Sequence, residues 1–198
     1  LHVGPALGVG GIGFWVGDSV LKPLVLERQR CRIVARGPVR AVVRVEYRGW
    51  DMGNGTVDVT SLFFIAAGDR VTEHRVILEN GASPRVLATG IVKHDSTEML
   101  WDPAVAWLST SGLQSRAGDS LMLALTVPRL AVIRTAEDAV NHLLLLRLEK
   151  GKPVRILISS YWQGETGHLW TRGDIRRFLD ATGRRLNEPL QVAVERRE

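Results

Sequence analysis

The chain has 198 residues, of which 45% are hydrophobic and 24% are charged. These fractions are typical of a folded globular domain and exclude intrinsic disorder, collagen and coiled coils. The sequence has no apolar run near the roughly 18 residues that a membrane-spanning helix needs. A single cysteine, Cys31, excludes both an intramolecular disulfide framework and a thiolate metal cage. We therefore predict one domain over residues 1–198 with a substantial core.

The net charge is +5, and almost all of the positive charge is arginine. Arginine presents a planar fork of donors that fits a carboxylate or a phosphate, which favours an anionic partner, although a general bias toward arginine codons gives the same composition. The sequence has no basic helix, no finger spacing and no interleaved basic and aromatic residues, so it predicts no nucleic-acid partner. An acidic sugar is the favoured ligand class.

Glycines near the start of the chain have the spacing of a dinucleotide fingerprint, at Gly8, Gly10 and Gly13. That fingerprint needs a strand before it and a helix after it, whereas residues 14–16 are typical of a strand followed by a turn. The segment is therefore predicted to be a loop or a glycine-rich strand, and no cofactor is predicted.

Alternating residues predict most of the other elements. Residues 39–48 alternate between an apolar and a charged face, and strands at 57–66 and 70–79 follow after turns, which indicates three consecutive antiparallel strands. Thr171 and Asp174 have the spacing of a capping box, and Gly183 is predicted to end that helix. Further strands are predicted at 14–16, 86–93, 121–127, 131–134, 142–148 and 154–162. The predicted fold class is an all-β antiparallel sandwich with one short C-terminal helix.

Two details of this prediction concern the second half of the chain. Residues 136–146 are also compatible with a helix, but four consecutive leucines leave that helix without a polar face, so we predict a strand. The turn at 149–152 is predicted to join the strands on either side of it in a hairpin.

Five short motifs follow one another along the chain: Gly37-Pro38-Val39-Arg40-Ala41, Asp58-Val59-Thr60-Ser61, Ala67-Gly68-Asp69-Arg70, Glu73-His74-Arg75 and Gly90-Ile91-Val92-Lys93-His94. In this order they resemble a bacterial family catalogued as a domain of unknown function. That family occurs among polysaccharide-utilisation proteins and is similar to the galactose-mutarotase-like super-sandwich.

The resemblance implies a periplasmic or secreted β-sandwich whose concave sheet meets carbohydrate, often uronate-bearing. It supplies no reaction. Members of the family are longer at the front, so this chain is expected to lack N-terminal strands, and a sheet edge left exposed by that loss would allow a homodimer.

Chemistry on an acidic sugar needs a cation for the carboxylate, a base and an acid. His94 follows Lys93 at the end of a predicted strand, so His94 is a candidate base and Lys93 a candidate carboxylate-binding residue. His74 is a second candidate base. Strand alternation places it on the face opposite Glu73 and Arg75.

Arg75 is a second candidate for binding the carboxylate. The alternative is that Glu73 and Arg75 belong to a cross-strand charge ladder with Arg44, Glu46 or Asp58, which needs no ligand.

Tyr161 and His168 are the candidate acids. Trp50, Trp101 and Trp162 fall in predicted turns and strand ends, where an indole could stack on a sugar ring, although at least half of the six tryptophans are expected to be structural. No histidine has a partner at metal-ligand spacing, so no metal is predicted.

These residues favour a carbohydrate-active protein that acts on a uronate-containing oligo- or polysaccharide, with β-elimination as the candidate reaction. A non-catalytic carbohydrate-binding or structural domain is the alternative. Glycoside hydrolysis, which needs two carboxylates, stays open because the chain offers too many candidates to rank.

Overall fold

Two antiparallel β-sheets lie face to face in the computed structural model, which describes residues 4–165 and 171–188. One α-helix lies within these ranges, near the C-terminus. The predicted all-β sandwich with one short C-terminal helix is confirmed. None of the helical structure in the described ranges is long and apolar enough to cross a membrane.

The smaller sheet has five strands in the order β11-β12-β7-β1-β2. Its strands are β1 (Val9–Val16), β2 (Ser19–Leu21), β7 (Arg85–Val92), β11 (Val132–Glu137) and β12 (Asn141–Leu148).

The larger sheet has eight strands in the order β3-β4-β5-β6-β13-β10-β9-β8. Its strands are β3 (Arg28–Arg36), β4 (Arg40–Asp51), β5 (Thr56–Ala66), β6 (Val71–Asn80), β8 (Thr97–Asp102), β9 (Trp107–Leu113), β10 (Ser120–Thr126) and β13 (Val154–Trp162).

Side chains that alternate along each strand divide the larger sheet into two faces. The inner face packs against the smaller sheet and forms the main core, with residues such as Val59, Leu78 and Ile156 fully buried. The opposite face, which we call the outer face, carries most of the charged residues of β4, β5, β6 and β13. Glu73 and Arg75 lie on this outer face while His74 lies on the inner face, as alternation predicts.

The helix α1 (Arg172–Asn187) packs on the outer face over β9, β10 and β13. Ile175 and Leu179 of the helix contact Trp107, Met122 and Tyr161 of the sheet in a second apolar cluster. The predicted capping box is present, since Thr171 and Asp174 each accept a hydrogen bond from the backbone N–H of the other.

Gly183 does not end the helix, which continues to Asn187. A Cβ at position 183 would lie 2.5 Å from the backbone oxygen of Val105. This glycine is therefore needed for close packing of the helix against the loop before β9, and not as a helix terminator.

The turn between β12 and β13 does not make a hairpin. Strand β12 pairs with β7 and β11, whereas β13 pairs with β6 and β10 in the other sheet. The turn therefore carries the chain from one sheet to the other. Strands β2, β3, β8 and β9 are also absent from the prediction.

Candidate functional site

A groove of about 230 Å³ lies on the outer face, where the helix α1 stands beside the exposed parts of β4, β5, β6 and β13. Four arginines line it: Arg40, Arg75, Arg155 and Arg185. Glu73 and Asp69 are the acidic residues in its lining, so positive charge exceeds negative charge. An anion is the ligand class that this charge balance favours.

Glu73 holds two of these arginines together. One of its oxygens, Oε1, accepts hydrogen bonds from Arg75 Nε and from Arg155 Nε, each 2.6 Å long. Burial raises the pKa of the Glu73 carboxyl, but the bonds from Arg75 and Arg155 outweigh that effect and the pKa is lowered. Glu73 therefore stays ionised and keeps the two guanidinium groups within two hydrogen-bond lengths of each other.

The Nη atoms of Arg75 and Arg155 are the donors left for a ligand. Among the described residues, Glu73 is the acidic partner of both arginines, and no second carboxylate forms an ion pair with either. Both side chains are about two-fifths exposed, at 38% and 41%. Two adjacent guanidinium groups fixed through Nε can present their Nη forks to one carboxylate.

Phe64 forms part of the groove floor. The guanidinium carbons of Arg40 and Arg75 lie 4.8 Å and 4.4 Å from the centre of its ring, within cation–π distance. The ring therefore helps to orient both arginines, and its neighbour Leu157 adds a buried apolar surface.

His74 does not reach this groove. It is 1% exposed on the inner face, where Nε2 lies 2.8 Å from Ser61 Oγ and Nδ1 lies 3.2 Å from the Gly10 oxygen. Its ring stacks on Phe63 at a centroid distance of 4.1 Å. Both ring nitrogens are used internally, so the candidate catalytic role of His74 has no geometric support.

Tyr161 lies on the outer face but beneath the helix. It is 3% exposed, packs edge-on against Phe178 at 5.6 Å, and burial raises its pKa to about 12. A phenol in this position is shielded from a ligand in the groove. His168, the other candidate acid, lies outside the described residues.

Lys93 belongs to a second polar cluster, between the two sheets at one end of the sandwich. Lys93 Nζ lies 2.6 Å from one oxygen of Glu137, and His142 Nδ1 lies 2.9 Å from the other. Hydrogen bonds from Lys93 and His142 lower the pKa of Glu137. His94, the next residue along the chain, is partly buried, and its Nε2 has no hydrogen-bond partner among the described residues.

A cavity of about 230 Å³ adjoins this second cluster. Glu137, His142 and Thr135 line it together with the apolar side chains of Met99 and Leu108. His142 itself is not among the sequence-predicted site residues. The sequence gives only a weak indication that His142 lies beside Glu137, because the register of β11 against β12 is what places the two residues opposite each other.

The three predicted sugar-binding tryptophans occupy different environments. Trp50 is completely buried, with its ring 4.8 Å from that of Phe14, so its proposed sugar-stacking role is ruled out by burial. Trp101 packs partly buried against the main core. Trp162 is 46% exposed at the end of β13, and its indole N–H donates to the Asp119 carboxylate at 2.9 Å.

The structure thus separates the predicted site residues. Arg75 lies in the groove, Lys93 and His94 lie near the second cluster, and His74 lies in the core. Arg40, Arg155 and Arg185 complete the groove. Alternation places Arg40 on the charged face of its strand, but none of the three is a sequence-predicted site residue. Among the described residues, no group of three or more His, Cys, Asp or Glu side chains is arranged to hold a metal ion.

The fold and the groove define a β-sandwich protein with an arginine-lined groove on its outer face. The chain belongs to the family described as a domain of unknown function (DUF4861), which matches residues 1–192. No curated protein matches the chain.

Proposed function

We propose that this chain binds a carboxylate-bearing carbohydrate in the arginine-lined groove and acts there as a binding module. The observation that carries the proposal is the pairing of Arg75 with Arg155 through the single Glu73 oxygen. Because each arginine contacts Glu73 through Nε, the Nη donors of two adjacent residues that line the groove remain for the two oxygens of a uronate carboxylate.

The carbohydrate part of the proposal rests on the resemblance to polysaccharide-utilisation proteins given by the sequence motifs. Uronates combine a carboxylate with a ring of hydroxyl groups, so a groove with arginine donors and Glu73 and Asp69 as acceptors offers partners for both. A periplasmic or secreted location, implied by the same resemblance, would place the chain where such polysaccharides occur.

Binding is favoured over catalysis in the groove because the candidate acid and base residues are directed elsewhere. His74 is on the other face of the sheet and Tyr161 is under the helix. Glu73, the carboxylate nearest the arginines, has a lowered pKa and is a poor proton acceptor.

The test is calorimetric titration of the chain with a short oligogalacturonide. Arg75→Gln and Arg155→Gln are each expected to weaken binding by about tenfold, because each removes a charged hydrogen-bond donor. Arg147→Gln, an exposed change on β12 of the other sheet, is the matched control and should bind as the unmodified chain does. Equal affinity in all four proteins would contradict the proposal.

The second cluster favours one alternative, catalysis by proton abstraction. Glu137 is a carboxylate and only accepts, so His142 Nδ1 is the donor in this contact; the tautomer with its hydrogen on Nδ1 has its lone pair on Nε2, as a general base requires. The chain would be incubated with uronate polysaccharides while the absorbance of unsaturated uronates and the reducing ends are followed.

An increase in both the absorbance and the reducing ends would support β-elimination, provided that both increases are lost in His142→Ala. Reducing ends alone would support hydrolysis. No product, together with the binding described above, would leave the binding module as the function.

A further inference from the structure

Arginines form a straight line across the outer face, perpendicular to the strands. Arg32 lies directly opposite Arg44, Arg44 opposite Leu62, Leu62 opposite Arg75, and Arg75 opposite Arg155. Residues that lie directly opposite in paired strands share one face. We call these four arginines, with Leu62 between them, the arginine row.

The arginine row begins in the groove, at Arg155 on β13, and extends well beyond the groove to Arg32 on the edge strand β3. It crosses β3, β4, β5, β6 and β13, and four spacings of about 4.8 Å make it about 19 Å long. A pyranose ring is comparable in width to one strand spacing, so a single sugar in the groove cannot reach Arg32 at the sheet edge.

The end of the arginine row that lies on the edge strand β3, which we call its outer end, carries an excess of positive charge. On the outer face of β3 and β4 lie Arg28, Arg30, Arg32, Arg40, Arg44 and Arg48, with Glu46 as the acidic residue among them. Glu46 pairs with Arg44 at 2.9 Å and Arg48 at 3.2 Å. Within residues 4–165 and 171–188, no carboxylate forms an ion pair with Arg28, Arg30 or Arg32.

This arrangement costs stability. Arg30 faces Glu46, but Arg28 faces Arg48 and Arg32 faces Arg44 across the two strands, and like charges in directly opposite positions repel. Arg44 Nε is also buried without a hydrogen-bond partner in the described part of the chain. Arg44, Arg75 and Arg155 each have a carboxylate partner, in Glu46 or Glu73, whereas Arg32 has none within the described residues. Ion pairs within the described chain therefore do not account for the charge at the β3 end of the row, and a bound polyanion would neutralise it.

We propose that the arginine row extends the groove into a binding track, so that the ligand is an acidic oligosaccharide several residues long, lying across the strands from β13 to β3. This inference rests on the proposed function and specifies its ligand as a chain. A polysaccharide is favoured over a nucleic acid because the row offers no open aromatic face for base stacking: Phe64, its aromatic neighbour, has guanidinium groups over its ring.

The test compares a uronate disaccharide with an octasaccharide as ligands in calorimetric titrations. The unmodified chain should bind the octasaccharide more tightly. Arg32→Thr, and the double variant Arg28→Thr with Arg32→Thr, should weaken octasaccharide binding by about two- to tenfold and leave disaccharide binding unchanged.

Arg36→Thr is the matched control. Arg36 lies on the same exposed edge strand, but opposite Ala41 and so on the other face of the sheet. Its replacement removes the same charge and should leave octasaccharide binding unaltered.

A second measurement separates a binding role from a structural one. Because the paired arginines repel, the double variant should have a higher urea midpoint than the unmodified chain at low salt, and the difference should disappear in molar salt. A structural role for Arg28 and Arg32 predicts the opposite, a lower midpoint.

The outcomes distinguish the two proposals. Equal affinity for the two ligands, with Arg75→Gln still weakening both, overturns the track and leaves the groove intact. Absence of binding to either ligand overturns the proposed function itself. Tighter binding of single-stranded DNA than of the octasaccharide overturns the carbohydrate assignment of the track.

Discussion

The imidazole of His74 shows how a single residue can look catalytic in sequence and be structural in the fold. A histidine between a glutamate and an arginine resembles an active-site motif, yet alternation puts its ring on the core side of the strand. There Ser61 and the Gly10 oxygen occupy both ring nitrogens. Burial lowers the pKa of His74 from 6.5 to about 4, with the hydrogen bond to Gly10 opposing the change.

That lowered pKa predicts a pH-dependent loss of stability. The folded chain keeps His74 neutral while the unfolded chain protonates it, so the stabilisation is complete above pH 6.5 and is lost as the pH falls toward 4. The loss should be on the order of 3 kcal/mol by pH 4. Urea denaturation at a series of pH values would measure it.

His74→Gln is the matching variant, because glutamine can keep a hydrogen bond to Ser61 without titrating. Its free energy of unfolding should fall less steeply than that of the unmodified chain between pH 6.5 and 5. Parallel curves for the two proteins would show that His74 is not the titrating group. The comparison isolates His74, because the other histidines are the same in both proteins.

Among single residues, the sequence could identify Arg75 but not its partners. The Glu73-His74-Arg75 motif predicts that Glu73 and Arg75 share a face, and they do. The partner that Glu73 takes from another strand is Arg155 on β13, and neither Arg44, Glu46 nor Asp58. Residues 73 and 155 are far apart in the chain, and no local spacing encodes their contact.

At the scale of elements, sequence pattern predicts the strands that have one apolar face. Strand β4 alternates between apolar and charged residues and is predicted. Strand β3 is not predicted, although Arg28, Arg30 and Arg32 alternate there with less polar residues; all nine of its residues are exposed, so it has no buried apolar face. Strand β9, Trp107–Leu113, is rich in serine, threonine and glycine and has no alternating apolar face in its sequence.

The helix α1 allows a paired test of packing against backbone freedom. Gly183→Ala should destabilise the chain by more than 1 kcal/mol, because the added Cβ meets the Val105 backbone at 2.5 Å. Gly173→Ala, in the first turn of the same helix, has 3.7 Å of room and should stabilise the chain by about 0.5 kcal/mol. Thermal or urea denaturation of both variants provides the measurement.

The test depends on the opposite signs of the two changes in the free energy of unfolding more than on their sizes. If both alanines stabilise the helix, then the contact with Val105 yields easily and Gly183 has no packing role. If both destabilise it, helix propensity is not the controlling factor at Gly173.

At the scale of the whole molecule, the groove exists because strands distant in sequence become neighbours in one sheet. Arg40, Arg75 and Arg155 come from β4, β6 and β13, and Arg185 comes from the helix. The sequence predicts a sandwich with a charged face. It does not predict which parts of that face converge, because this depends on the crossover from β12 to β13, and the sequence predicts a hairpin there.

Edge-to-edge dimerisation stays a prediction, and β3 makes that edge a poor candidate. A second copy paired antiparallel along β3 would bring Arg28, Arg30 and Arg32 close to their own counterparts. Like charges on an exposed edge strand oppose such pairing.

The docking of α1 has a kinetic consequence for the groove. The helix supplies Arg185 to one wall of the groove. It is held by the small apolar cluster around Leu179 and Trp107, by the hydrogen bond from the Trp107 indole to Asp180 at 2.8 Å, and by polar contacts of Arg172, Arg176 and Asn187. A helix on the surface of a sheet detaches locally more often than the central strands of that sheet. Each detachment would remove a wall of the binding site.

A ligand that touches Arg185 should therefore slow deuterium uptake by the amides of α1. Hydrogen exchange with and without an acidic oligosaccharide would show this, with β12 of the opposite sheet as the internal reference. Unchanged uptake in the helix, at a ligand concentration that saturates binding, would mean that Arg185 makes no contact. If uptake slows, the rate of deuterium uptake by α1 reports how much of the groove is occupied, because a bound ligand holds the helix on the sheet for longer.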